Sequence, residues 1–179
     1  FKAVAEVARG WRDEPGTLPW LITCIRDDSG CDWAIRFAAV EQLAKGWKDD
    51  SHTLPIIKNC AQSDHSQPVR FVSVEELAKG WKDDPITLSI LKTCAQSDDD
   101  AHMRHMAVEE LARNWIDEPG IFEFLRTCVC DIADFDAPPR HTESDIVSRK
   151  YSNNYRQSIL EAIIKQYPYH PQTLPLLRD

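Results

Sequence analysis

Residues 67 to 81, QPVRFVSVEELAKGW, place Val69, Ser73 and Leu77 at i, i+4 and i+8, which is one stripe of a helix. The preceding segment TLPIIKNCAQ (53 to 62) and its counterpart TLSILKTCAQ (87 to 96) form a second kind of amphipathic stretch. We name the two kinds helix A, opened by Thr-Leu-Pro or Thr-Leu-Ser, and helix B, closed by Lys-Gly-Trp. Along helix B the stripe recurs as Ile35, Ala39, Leu43 and as Met103, Ala107, Leu111. A small residue stands in the middle each time, which allows a neighbouring helix to approach closely.

The pattern is periodic. Trp11, Trp47, Trp81 and Trp115 stand 36, 34 and 34 residues apart, and Tyr167 occupies the same context 52 residues later. Leu18, Leu54, Leu88, Phe122 and Leu174 each follow the aromatic by seven residues. Cys24, Cys60, Cys94 and Cys128 follow by thirteen, and Arg36, Arg70, Arg104 and Arg156 form a further set. Self-similarity at this period marks stacked supersecondary units. The Cys-to-Arg interval is 10 residues in two copies, 12 in the first and 28 in the last, so extra residues enter between those two marks only. The expected architecture is all-α: about ten helices, with complete A and B pairs near 17–46, 53–80, 87–115 and 121–166 and an unpaired helix on either side.

The phrase between helices reads as a stacking joint. Gly10, Gly46, Gly80 and Asn114 precede the aromatic, and both residue types tolerate the left-handed backbone that ends a helix, so a Schellman closure with a buried Trp is expected. The acids and Pro that follow turn the chain. Thr is then expected to cap helix A, with Pro19, Pro55 and Pro175 in the first turn, where no amide partner is lost.

Three further residue pairings carry a family resemblance: Ser63-Asp64 followed by Val69-Arg70, Ser97-Asp98 followed by Met103-Arg104, and Asp27 or Asp28 followed by Ile35-Arg36. On these the chain resembles HEAT repeats, of the bacterial sort found in multidomain proteins. The resemblance implies a right-handed α-solenoid of HEAT-like helical hairpins over 1–179. It also implies a ladder in which the Asp between helices and the Arg early in helix B bridge adjacent units. That role falls to Asp64, Asp98, Arg36, Arg70 and Arg104, with Asp131 and Arg156 beyond the insertion, while Trp11, Trp47, Trp81 and Trp115 serve as structural anchors.

The chain begins partway along a helix B and finishes partway along a helix A, without polar terminal caps, so a piece of a longer array is expected. The LAKGWKDDP-type phrases are similar to the arrays trailing NACHT or other STAND-type nucleotide-switching ATPases in bacteria. There such an array would be a sensor or regulatory arm for signalling or defence. No Walker motif occurs here.

Charge narrows the partners. A formal net charge of −8 opposes phosphate-held binding, so no nucleic acid is expected. No apolar run reaches the roughly 18 residues of a membrane span, so a cytoplasmic protein without membrane contact is expected. Four cysteines share one repeat position, about a helix diameter from one another, beyond the reach of a disulfide. They read as small buried hydrophobes in a reducing compartment; Cys31 and Cys130 lie outside the pattern. His102 and His105 sit near Asp98, Asp99 and Asp100, which reads as a solvated helix start. No metal, cofactor or catalytic set is expected. HEAT-type hydroxylases carry His-Glu pairs that this chain lacks, and HEAT-like DNA glycosylases need a basic groove. The alternative from another class is a bilin or small-molecule lyase-chaperone of the HEAT type, which would show a deep cleft with convergent polar groups.

Two surfaces remain as candidate partner sites. One is a column on helix B opposite the core: Phe37-Glu41-Lys45, Phe71-Glu75-Lys79, His105-Glu109-Arg113 and Gln157-Glu161-Lys165. Each Glu precedes its partner by four residues, the favourable spacing for an exposed pair. An aromatic row of Phe1, Phe37, Phe71 and His105 there would grip a protein or peptide segment. The other is the insertion at about 131–150, with Phe135, Arg140, His141 and Arg149 as contacts. Asp13-Glu14, Asp49-Asp50, Asp83-Asp84 and Asp117-Glu118 recur at the inter-repeat turns and favour a basic partner.

Overall fold

The computed structural model describes residues 2–26, 32–133, 157, 160–161, 163–171 and 173. The order is α1 (Lys2–Gly10), α2 (Thr17–Arg26), α3 (Trp33–Gly46), α4 (Thr53–Ser63), α5 (Gln67–Gly80), α6 (Pro85–Ser97), α7 (Ala101–Asn114) and α8 (Ile121–Ala133). No strand occurs among the described residues, and further helical residues precede Tyr167 at 157, 160–161 and 163–166. The fold is all-α and made of A–B hairpins of the α-solenoid class. Phe1, Cys31, Phe135, Arg140, His141, Arg149 and Arg156 lie outside the described residues, as do the side chains of Cys130 and Asp131. Helix α8 runs to Ala133, so the first three positions of the expected insertion continue the helix.

The chain divides into two compact units, Phe1–Ile90 and Leu91–Asp179. In the first, the B helices α1, α3 and α5 pack side by side, with α2 against α3 and α4 against α5 and α3. A helix B therefore has neighbours on several sides. Helix α5 buries Val69, Val72, Ser73, Val74, Leu77 and Ala78, a set that runs most of the way round its axis. The small mid-stripe residues Ala39 and Ser73 are fully buried where the helices approach, and the Ser73 hydroxyl is satisfied by donating to Val69 O at 2.8 Å. In the second unit α7 packs on α8, with Met103, Ala107 and Leu111 fully buried. Phe122 stacks on His170 at 3.7 Å, and the Tyr167 hydroxyl donates to Ile116 O at 2.7 Å. Burial of a Leu such as Leu43 or Leu77 contributes about 1.5–3 kcal/mol.

The repeated phrase closes differently from a Schellman motif. Gly46 and Gly80 are the last helical residues and keep ordinary negative φ; among the described residues only Gly120 has a positive one, 81°. The Trp47 N–H continues the helical ladder to Leu43 O, with φ −130°. Two successive turns then follow: Asp50 N–H donates to Trp47 O at 3.1 Å, and Thr53 N–H donates to Asp50 O at 3.1 Å. Thr53 does not cap helix A. Its hydroxyl donates backwards to Trp47 O at 2.6 Å, so one carbonyl accepts two bonds and ties the end of one helix to the start of the next. Thr17 does the same with Trp11 O at 2.5 Å, and Thr173 with Tyr167 O at 2.8 Å. The acid supplies the cap: Asp84 Oδ1 accepts from Ile86 N at 2.9 Å and Thr87 N at 3.2 Å. Lys58 also reaches Asp84, at 2.8 Å, and its bond holds the Asp84 carboxyl below its ordinary range. The expectation of buried Trp anchors needs correction too. Trp11 is 56% exposed, Trp115 is 6% exposed, and Trp47 and Trp81 are intermediate.

Candidate functional site

The Asp–Arg set comes together between α3 and the end of α4. Arg36 donates from Nε to Asp64 Oδ2 at 3.0 Å and from Nη2 to Asp64 Oδ1 at 3.1 Å, with both side chains under a tenth exposed. A planar guanidinium matched to a carboxylate in this way is the strong form of an ion pair. Asp64 also accepts Ser66 N–H at 2.8 Å, and its carbonyl takes Arg70 Nη1 at 3.1 Å. In the second unit Asp98 repeats the turn onto Asp100 N at 2.9 Å, and Arg104 Nη1 donates to Asp98 O at 2.7 Å. Thus Arg70 and Arg104 each clamp the interhelix turn of their own hairpin through the backbone, and Arg36 crosses to the next hairpin through a side chain.

Beside that pair the thiol of Cys60 is buried, and burial followed by the Asp64 charge pushes its pKa up to about 12. Cys60, Cys94 and Cys128 are buried and Cys24 is half-buried. His102 and His105 meet edge to face at 6.5 Å, while Asp100 caps α7 by accepting from His102 N and Met103 N. No group of His, Cys, Asp and Glu able to hold a metal ion is found among the described residues.

The helix-B column separates by unit. In the first, Phe37 and Phe71 are half-buried at equivalent positions of the adjacent helices α3 and α5. One turn on, Glu41–Lys45 pairs at 2.5 Å and Glu75–Lys79 at 2.7 Å, both partly solvated. In the second unit the expected Glu109–Arg113 spacing is not the pair that bonds. Arg113 Nη1 donates to Glu110, and Glu109 lies 3.3 Å from His105 Nε2 instead. The cause is that Glu110 is buried and needs a cation more than the half-exposed Glu109 does.

Two features went unread in the sequence. Arg12 Nη2 donates to Gly46 O at 2.8 Å, and Lys48 Nζ lies 5.9 Å from the Trp81 ring centre, so the cations after Trp11 and Trp47 reach forward onto the next copy's Gly-Trp. The second is the pair of buried acids Glu76 and Glu110, each 8% exposed. Both follow another Glu in the phrase VEEL, and one extra residue turns the side chain about 100° from the solvated column towards the seam between helices.

A sequence profile described as HEAT repeats matches residues 18–112, more than half of the chain. The chain belongs to the HEAT-repeat family. No curated protein and no solved structure matches it. In HEAT terms, Arg36 and Asp64 are a rung between successive repeats, and the helix-B column of the first unit presents the same half-buried aromatic twice. No described helix is long and apolar enough to cross a membrane.

Proposed function

We propose that this HEAT array is a non-catalytic scaffold whose helix-B face holds a protein segment. The observation that carries the reading is the pair Phe37 and Phe71, half-buried at one register of adjacent helices and each followed one turn later by a partly solvated Glu–Lys pair. Half-buried aromatics rimmed by charge are the usual composition of a protein-binding patch. The net charge of −8 and the acids at the inter-repeat turns favour a partner with basic character over a nucleic acid. For the second unit the proposed contacts are His105 and, in the 131–150 segment, Phe135, Arg140, His141 and Arg149. We read 1–179 as one array in a cytoplasmic protein. Its LAKGWKDDP phrases support a place as the sensor or regulatory arm of a larger bacterial nucleotide-switching ATPase.

The test is affinity capture from the native cell with the wild type, with Phe37→Ser/Phe71→Ser and with residues 131–150 deleted, each first checked for native helicity and melting. The double Ser variant is expected to lose the captured partners. If both folded variants retain the full set, the binding surface lies elsewhere.

A further inference from the structure

Five residues before each aromatic stands Glu6, Gln42, Glu76 or Glu110. Glu110 is held within its own helix: Arg113 donates a guanidinium N–H to one oxygen, and the Asn114 amide reaches the other at 2.7 Å. Glu76 is as deeply placed, 8% exposed, yet its ion pair is long and is not a fork. The nearest cation, Lys79 Nζ, is 4.0 Å away and lies closer to Glu75, at 2.7 Å. Lys45 of α3 faces the same seam and is bonded to Glu41. Three carboxylates (Glu41, Glu75, Glu76) therefore face two ammonium groups (Lys45, Lys79). Burial is the largest influence on Glu76 and raises its pKa, which the two lysines only partly oppose.

The difference from α7 is traceable to two residues. Where α7 has Arg113-Asn114, α5 has Lys79-Gly80, so the amide is missing and the forked guanidinium is replaced by a point charge engaged elsewhere. We propose that Glu76 is the anchor for an arginine side chain of the bound protein segment, with Phe37 and Phe71 flanking its stem. This rests on the reading of the helix-B face as the segment-binding surface. A guanidinium is weakly hydrated and planar, so it enters a desolvated seam at lower cost than an ammonium and bonds both carboxylate oxygens. Phe71 lies one helical turn before Glu75, and Phe37 one turn before Glu41, which places apolar surface beside the acids for the arginine methylenes and for cation–π contact. The α7 copy, which meets the same need with its own arginine and amide, indicates the chemistry that the α5 seam lacks.

The probes are N-acetyl-arginine amide, its citrulline analogue and N-acetyl-lysine amide, titrated into the full chain while the Glu76 side-chain carboxyl carbon is followed by NMR. Gly80→Asn is the informative variant. Gly80 has no positive φ, and a Cβ there meets only Lys48 Cε at 3.7 Å, so the Asn amide is accommodated where Asn114 stands in α7. The arginine compound should shift Glu76 saturably and the uncharged citrulline should not. Gly80→Asn and Glu76→Gln should each weaken arginine binding about tenfold, the effect of one charge-assisted hydrogen bond. An unmoved Glu76 resonance, or Gly80→Asn binding as tightly as wild type, overturns the anchor. Equal binding of the lysine compound overturns the preference for a guanidinium. In affinity capture, if the Glu76 and Gly80 variants keep partners that Phe37→Ser/Phe71→Ser loses, the face stands and the anchor falls. If none of the variants changes the partners, the face falls with it.

Discussion

Replacing Gly46 with Ala discriminates between two accounts of the repeated phrase. A Schellman closure would hold this residue in the left-handed region, where a Cβ costs about 1–2 kcal/mol, so the variant would be destabilised. In the structure Gly46 ends α3 with negative φ, and a methyl group placed on it meets nothing within 4 Å. The substitution then adds no strain, keeps the carbonyl that accepts Arg12, and removes unfolded-chain freedom. The expected gain is about 0.5–1 kcal/mol, the helix-propensity difference at a residue near the helix end. For a chain of this size that raises Tm by about 1–4 °C. Gly120→Ala is the internal control: its φ of 81° makes the same change unfavourable by about 1–2 kcal/mol. Urea unfolding followed by Trp fluorescence, paired with hydrogen exchange of the Trp47 amide, reads both variants. A loss of 1 kcal/mol or more in Gly46→Ala would refute the helical assignment of this residue and restore the left-handed closure.

Asp64→Ala strands the buried Arg36 guanidinium and should cost about 3–5 kcal/mol in urea unfolding, with Arg36→Met/Asp64→Ala recovering part of it; equal losses would mean the pair is not coupled. Thr53→Val removes the hydroxyl bond to Trp47 O and should cost about 1 kcal/mol, while Thr53→Ser stays within a few tenths, both measured by thermal melting. Glu76→Gln tests the buried acid through pH. Because the folded pKa of Glu76 is raised, the folded chain binds the proton more readily than the unfolded one, so the acid's destabilising effect is absent at low pH and grows as pH rises from its ordinary value through the folded one. The variant should therefore be more stable than wild type at pH 7, and that advantage should shrink near pH 4; a gap that does not depend on pH would refute it.

Much of the fold was legible because helix period and repeat period are both properties of the linear chain. The stripe Val69, Ser73, Leu77 and its two equivalents could be counted, and a small residue at mid-stripe already implied close helix approach. The Arg36–Asp64 rung could be named because the resemblance to HEAT repeats implies an Asp–Arg ladder between adjacent units. What the sequence alone could not determine depends on which neighbour a group meets. Gly before Trp suits a left-handed residue and a helical one equally, and only the two turns through Asp50 and Thr53 decide between them. Threonine at a helix start is a capping residue by composition, yet its hydroxyl found the Trp carbonyl six residues back because the joint folds that carbonyl over it. Glu75 and Glu76 are alike in sequence. One faces water and the other a seam between helices, since a single residue turns the helix by about 100° and the packing of α3 against α5 determines what that turn faces.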